Sequence, residues 1–271
     1  MKNIYLINKI YNLHFSKYLT GYIRKKLLKN NKIIFIPTKL KKLPQNNHPI
    51  QNSIKLQEDI IETYNKTNKL SFNTFLELKL LLKKKFKSDS YFNFLDFGGD
   101  KIDFYLDICK EFKNINYFLI NLPEINKIIK TIKNKYNYEN LTILNNLNEI
   151  KKKKYDFVYF GSTLQYLDNY NDLLLDILPI SKKYVMISAT NFFNNNDSLP
   201  NIVVKQLNFL PKLFYLYFIN LDIFLNLFKK YNFKVEFNEL NKTCIFNHNT
   251  FKYLKIYNIK YTDILLSKNN E

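Results

Sequence analysis

Between Tyr91 and Ser188 short apolar runs alternate with stretches of helical period, and this alternation restricts the chain more than any single motif does. Tyr91–Asp96, Ile115–Asn121, Leu141–Leu144, Tyr155–Phe160 and Tyr184–Ser188 read as strands. Helices are predicted at Lys101–Phe112, Pro123–Tyr136 and Asn171–Leu178, the last stopped by Pro179. Pro123 stands where a first-turn proline belongs, because the first N–H of a helix has no intrahelical acceptor to lose. Ile125, Ile128, Ile129 and Ile132 then recur on one helical face. Strands separated by helices imply a parallel sheet covered on both faces. Such sheets bind ligands at the carboxyl ends of their strands, where Gly98, Asn121, Asn145, Gly161 and Thr190 all fall.

Glycine is scarce, four in 271 residues, yet two are adjacent in Phe94-Leu95-Asp96-Phe97-Gly98-Gly99-Asp100. A strand that turns into a helix through glycine brings backbone close to a nucleotide-like ligand. Beyond Thr190 the pattern changes. Asn194-Asn195-Asn196-Asp197 is a loop, Leu207–Phe218 is aromatic and mostly apolar, and Asn220 is placed to cap a helix over Leu221–Lys230. Phe233–Glu239 and Tyr261–Ser267 read as two further strands. The expected organisation is a sheet domain over residues 91–271 behind an N-terminal extension over 1–90. Within the extension, Ile33–Ile36 reads as a short strand, Pro44 to Pro49 as a linker and Ser53–Phe86 as mostly helical. The extension is expected to cover the substrate side or to make homodimer contacts.

The net charge of +19 invites a nucleic-acid partner, but of the 42 basic residues only Arg24 is an arginine, the residue that forks onto phosphates and bases. Lysine accompanied by abundant Asn, Ile, Phe and Tyr reads as an ordinary solvated surface. Cys109 and Cys244 have no metal-ligand spacing, so no metal site is expected. Lys2, Asn3, Asn8 and Lys9 interrupt any signal-peptide core. Leu207 to Phe228, the most apolar stretch, is broken by Pro211, Lys212, Asn220, Asp222 and Asn226, which excludes a spanning helix and leaves a cytoplasmic protein as the expectation.

Leu95-Asp96-Phe97-Gly98-Gly99, Asn121-Leu122-Pro123 and Ser162-Thr163-Leu164-Gln165-Tyr166-Leu167 occur in that order. With these segments the chain resembles class I S-adenosylmethionine-dependent methyltransferases, over roughly Phe75 to the C-terminus. Among them it resembles a bacterial family often found near surface-polysaccharide genes. The resemblance implies a Rossmann-like α/β fold whose seven-stranded sheet is mostly parallel with one antiparallel strand. It implies S-adenosylmethionine as cofactor, and a small molecule or glycan precursor as substrate, with methylation at oxygen as the expected reaction. Asp96 would accept from the cofactor ammonium or from loop amides, and Gly98 and Gly99 would admit its amino-acid end. Asn121, with Leu122 beside it, would meet the ribose, Asn145 the adenine, and Gly161 and Ser162 would lie under the sulfonium.

Two positions depart from the pattern. Asn121 stands where the family usually has an acid, and Asp100, Lys101 and Ile102 replace further glycines, so that Asp100 either crowds the cofactor or bonds to it. A catalytically silent binding or scaffold protein is therefore the alternative. An alcohol acceptor needs a base within hydrogen-bond reach. Gln165 occupies the neighbourhood where plant-type O-methyltransferases often place a histidine, and glutamine takes no proton. Tyr166 or Asp168 would orient an acceptor, although Tyr166 reads equally well as packing against the sheet. His48, in Asn47-His48-Pro49, is the candidate base, with a surface-loop histidine as its plain alternative. No Asn-Pro-Pro-aromatic or Pro-Cys segment exists, which closes base-amine and cytosine C5 methylation and leaves RNA ribose or guanine methylation as a rival. Phe209–Phe224 reads as a cap over the core, with peripheral membrane docking as the alternative.

Overall fold

The structure, a computed structural model, describes residues 35–44, 52–71, 73–194, 201–206, 214–240 and 259–269. The domain is built on a central sheet. Its strands are β2 (Phe92–Phe97), β3 (Ile115–Ile120), β4 (Leu141–Ile143), β5 (Tyr155–Gly161) and β6 (Ser181–Phe193). The helices between them are α3 (Asp103–Glu111), α4 (Pro123–Tyr136), α5 (Leu147–Lys151) and α6 (Tyr170–Ile177). The parallel contacts of β2 with β3 and β5, of β3 with β4 and of β5 with β6 follow the expected crossover pattern. β9 (Phe233–Leu240) and β10 (Lys260–Lys268) complete the far edge, and β10 runs antiparallel to both β6 and β9. The order β4-β3-β2-β5-β6-β10-β9 is the expected seven-stranded arrangement with one inverted strand.

Alternation along each strand sends successive side chains to opposite faces. Leu95, Phe118, Val158, Phe160, Val185 and Ile187 pack against α6 and against α7 (Leu221–Lys229). Phe94, Tyr117, Phe157, Tyr159, Met186 and Leu265 pack against α3, α4 and two earlier helices, α1 (Ile54–Thr67) and α2 (Asn73–Lys85). As predicted, Asn220 caps α7, its Oδ1 accepting from Asp222 N at 3.1 Å and Ile223 N at 3.3 Å. Cys109 packs against the second cluster, and burial pushes its thiol up to about 12. No helix among the described residues is long and apolar enough to cross a membrane.

Among the described residues the sheet has ten strands, three beyond the seven expected in it, one of which, β1, overlaps the short strand read at Ile33–Ile36. β1 (Phe35–Pro37), β7 (Asn201–Gln206) and β8 (Phe214–Asn220) form an antiparallel extension joined to β6, with Phe192 opposite Ile219 and Phe193 opposite Asn220. Within the aromatic segment read as a cap, Phe214–Asn220 is thus a buried strand paired antiparallel with β7, and Leu221–Phe224 opens α7. α1 and α2 lie along α3. Tyr64 Oη donates to Asp107 Oδ1 at 2.6 Å, and Lys79 Nζ reaches Asp107 Oδ2 at 2.8 Å and Glu111 Oε1 at 3.1 Å.

Candidate active site

The carboxyl ends of β2, β3, β4 and β5 lie along one edge, as parallel pairing requires. After β2 the chain turns at Gly98, whose φ of +88° is open to glycine at little cost, and Gly98 N donates to Ile120 O at 2.7 Å. Side chains of the protein fill the space that both glycines leave. An ideal Cβ on Gly98 would lie 2.3 Å from Thr163 Oγ1, and one on Gly99 would lie 2.1 Å from Asp96 Oδ2. Thr163 Oγ1 shares its single proton between Gly161 O at 2.9 Å and Phe97 O at 3.2 Å, and so bridges the ends of β2 and β5.

Asp96 lies beneath the turn and points into the aromatic face, with Tyr117 Oη donating to Oδ2 at 2.7 Å. Burial, opposed by the Tyr117 bond and reinforced by the Asp100 charge, pushes its carboxyl up to about 7. Asp100 keeps solvent contact, and its carbonyl accepts from Asn52 Nδ2 at 2.7 Å and Gln57 Nε2 at 2.6 Å. Gln57 Oε1 also accepts from Ile102 N at 3.1 Å, so α1 holds the exit of the glycine turn. That buttress was not foreseen, since a lone glutamine on a helix carries no distinguishing signal.

Asn121 turns inward. Its Nδ2 donates to Gly98 O and to Gly99 O, each at 2.9 Å, and its Oδ1 accepts from Leu122 N at 2.7 Å. A carboxylate here would face two carbonyl oxygens, which is the physical reason for an amide where the resembled family has an acid. Asn121→Asp is expected to cost about 2–3 kcal/mol at pH 8, by loss of two donors and the repulsion that replaces them. Urea denaturation checks this, and an unchanged midpoint would show that the turn does not depend on the amide.

At the end of β4, Asn145 N donates to Glu149 Oε2 at 2.9 Å and Asn145 Nδ2 to Glu149 Oε1 at 3.1 Å. These bonds hold the half-buried Glu149 carboxyl below its usual range, so an ionised acceptor stands where an adenine amine was expected. At the end of β5, Gly161 pairs with Ser188, and Ser162 follows with φ of 51°. Gln165 is buried, its Nε2 donating to Ser162 Oγ at 3.0 Å and to Ala189 O at 3.3 Å. Tyr166 Oη donates to Gln206 Oε1 at 3.2 Å. Asp168 Oδ1 accepts from Leu43 N at 2.9 Å and Tyr217 Oη at 2.5 Å, which makes it a tie between segments. His48 lies outside the described residues.

Strand order and the placement of this edge define the class I methyltransferase fold. A Galdieria sulphuraria protein provisionally assigned as a sarcosine dimethylglycine methyltransferase matches with a TM-score of 0.52 at 13% identity, covering 72% of this chain and 85% of that one. The N-terminal domain of EvdMO1, solved in the presence of SAH and D-fucose, matches with a TM-score of 0.50 at 10% identity, covering 74% and 85%. YcgJ from Bacillus subtilis matches with a TM-score of 0.50 at 8% identity, covering 72% and 99%. No sequence family matches the chain, and no curated protein does either. At these identities the likeness establishes the fold, and function is argued from the site.

Proposed function

We propose that this chain is an S-adenosylmethionine-dependent methyltransferase that acts on a small molecule or a surface-glycan precursor in the cytoplasm, transferring the methyl group to oxygen. The observation that carries the reading is the gathering of the Gly98-Gly99 turn, the Asn145–Glu149 pair and Gly161-Ser162 on one edge of a class I sheet. The residues fit the cofactor. The fit rests on Glu149, whose ionised carboxyl at the end of β4 offers an acceptor to an exocyclic amine. When bound, the cofactor supplies an electrophilic methyl group on an excellent leaving group, so the protein mainly aligns the acceptor and excludes water. Residues 91–271 act as the catalytic domain in this reading, and the preceding segment supports it through α1 and α2.

The second reading, a silent relative that binds a partner, is favoured by Thr163 and Asp96 filling the space beside the glycines and by the inward use of the Asn121 amide. Calorimetric titration of S-adenosylmethionine and S-adenosylhomocysteine separates the two. Micromolar binding is expected, weakened about tenfold by Glu149→Ala, which removes one charge-assisted bond on the surface. No binding to the folded protein would overturn the enzyme reading in favour of the silent one.

A further inference from the structure

The same edge of the sheet contains a break that the cofactor residues do not account for. β6 has β5 beside it as far as Ser188, opposite Gly161, and β8 beside it from Phe192, opposite Ile219. Between these points Ala189, Thr190 and Asn191 have the Leu164–Tyr166 turn alongside, with Gln165 Nε2 reaching Ala189 O at 3.3 Å. Two non-glycine residues at the break adopt left-handed backbone, Ser162 at φ 51° and Ala189 at φ 49°. Strain of this kind persists only where the surroundings impose it. At Ala189 it is imposed by Asp263 Oδ1, which accepts from Ser188 Oγ and Ala189 N at 2.7 Å each, while Ser162 N donates to Ser188 O at 2.8 Å.

Four buried side-chain atoms lack a hydrogen-bond partner among the described residues, and one of them, Asp107 Oδ2, has Lys79 Nζ at 2.8 Å. The other three are Gln165 Oε1, Asn191 Oδ1 and Asn191 Nδ2, on side chains that are both 0% exposed. Alternation along β6 puts Asn191 on the side of Phe193, which packs in one cluster with Tyr166, the neighbour of Gln165. Native chains pair nearly all buried polar groups, so three orphans at one strained break call for a partner that comes from outside.

We propose that Gln165 and Asn191 form the acceptor-recognition site, and that the acceptor is an uncharged, hydroxyl-bearing molecule presenting the face of a polyol or saccharide. This inference rests on the methyltransferase reading above. The open atoms are two carboxamide oxygens and one amide NH2. The oxygens need donors, which a carboxylate or an ionised phosphate does not offer, and an ammonium would leave the amide NH2 without an acceptor. A hydroxyl both donates and accepts, so two adjacent hydroxyls answer all three atoms. Full burial requires the break to open as the acceptor enters. The competing explanation is an enclosed water, which offers the same complement of donors and acceptors.

Asn191→Leu, close in volume, separates these explanations. Removal of two unpartnered atoms is expected to raise the Tm of the ligand-free protein by roughly 2–6 °C. An enclosed water bonded to Asn191 would make the Tm fall instead, and would overturn the proposal. If the leucine variant does not fold, Asn191→Ala replaces it in the binding measurement. Saturation-transfer NMR with methyl β-glucoside and methyl β-galactoside, and with acetate and methylammonium as charged probes, is recorded with and without S-adenosylhomocysteine. Transfer to at least one glycoside is expected in the wild type and lost in the variant, while S-adenosylhomocysteine affinity stays within about twofold. Transfer to neither glycoside, to a charged probe instead, or to a glycoside in wild type and variant alike overturns the proposal. A wild-type chain that binds glycoside but no S-adenosylhomocysteine overturns the methyltransferase reading, and the two failures are read separately in the same samples.

Discussion

Gly98→Ala is expected to lower stability by about 2–5 kcal/mol, the sum of left-handed backbone strain and overpacking. Its φ of +88° disfavours any side chain, and the new methyl would lie 2.3 Å from Thr163 Oγ1, 2.6 Å from Cγ2 and 3.0 Å from Cβ. Rotation of Thr163 does not relieve the overlap, because its own Cβ is among the crowded atoms. Its one hydroxyl proton, shared between carbonyls of β2 and β5, also holds the side chain in place. Thr163→Gly in the Gly98→Ala background is expected to restore the packing part of the loss and leave the backbone part. A double-mutant cycle by urea denaturation measures both. If the two changes prove additive, Thr163 does not occupy the space above Gly98.

The strands that lie within the parallel core were legible because buried parallel strands read as unbroken apolar runs between turn signals. Pro123 marked the start of α4, and Asn220 marked the cap of α7, each through a local backbone requirement. β8 was not legible. Phe214–Asn220 is as apolar as a buried helix, and periodicity alone does not separate the two when the antiparallel partner is Asn201–Gln206, a mixed segment. β6 runs five residues past its expected end at Ser188, to Phe193, because the left-handed residue Ala189, pinned by Asp263, lets the strand bend and resume.

Within the site, sequence spacing located the glycine turn, Asn121, Asn145 and Gly161-Ser162 at one edge, since all follow strands. It did not reveal which way Asn121 or Asp96 points. Both use their side chains inside the protein, and that depends on carbonyl and hydroxyl groups brought in from other strands. Thr163 and Asn191 went unnoticed as functional candidates. The one available signal was Asn191 itself, an amide directly ahead of Phe192 and Phe193 in what proved to be a buried strand.

Asp96 is expected to lower the stability of the protein as pH rises from about 4 to about 7. Its carboxyl, 4% exposed, is pushed up to about 7 by burial, with the Tyr117 hydroxyl bond working the other way and the Asp100 charge adding to the rise. In the unfolded chain the same group titrates near 3.9. Below about pH 4 both states hold the proton. Between about 4 and 7 only the folded state holds it, so each rise in pH favours unfolding by up to about 1.4 kcal/mol per unit. Above about 7 the folded state carries a buried carboxylate and the loss is complete. Asp96→Asn keeps an acceptor for Tyr117 and does not titrate, so this slope disappears. Groups that do not interact with Asp96 titrate alike in both proteins and cancel in the difference, whereas Asp100, which burial also pushes up and whose charge acts on Asp96, contributes to the slope that the substitution removes. Thermal unfolding of the two proteins at pH 5 and pH 8 is therefore expected to show the asparagine variant gaining several degrees on the wild type at the higher pH. Parallel curves would mean that Asp96 is already ionised in the fold at pH 5.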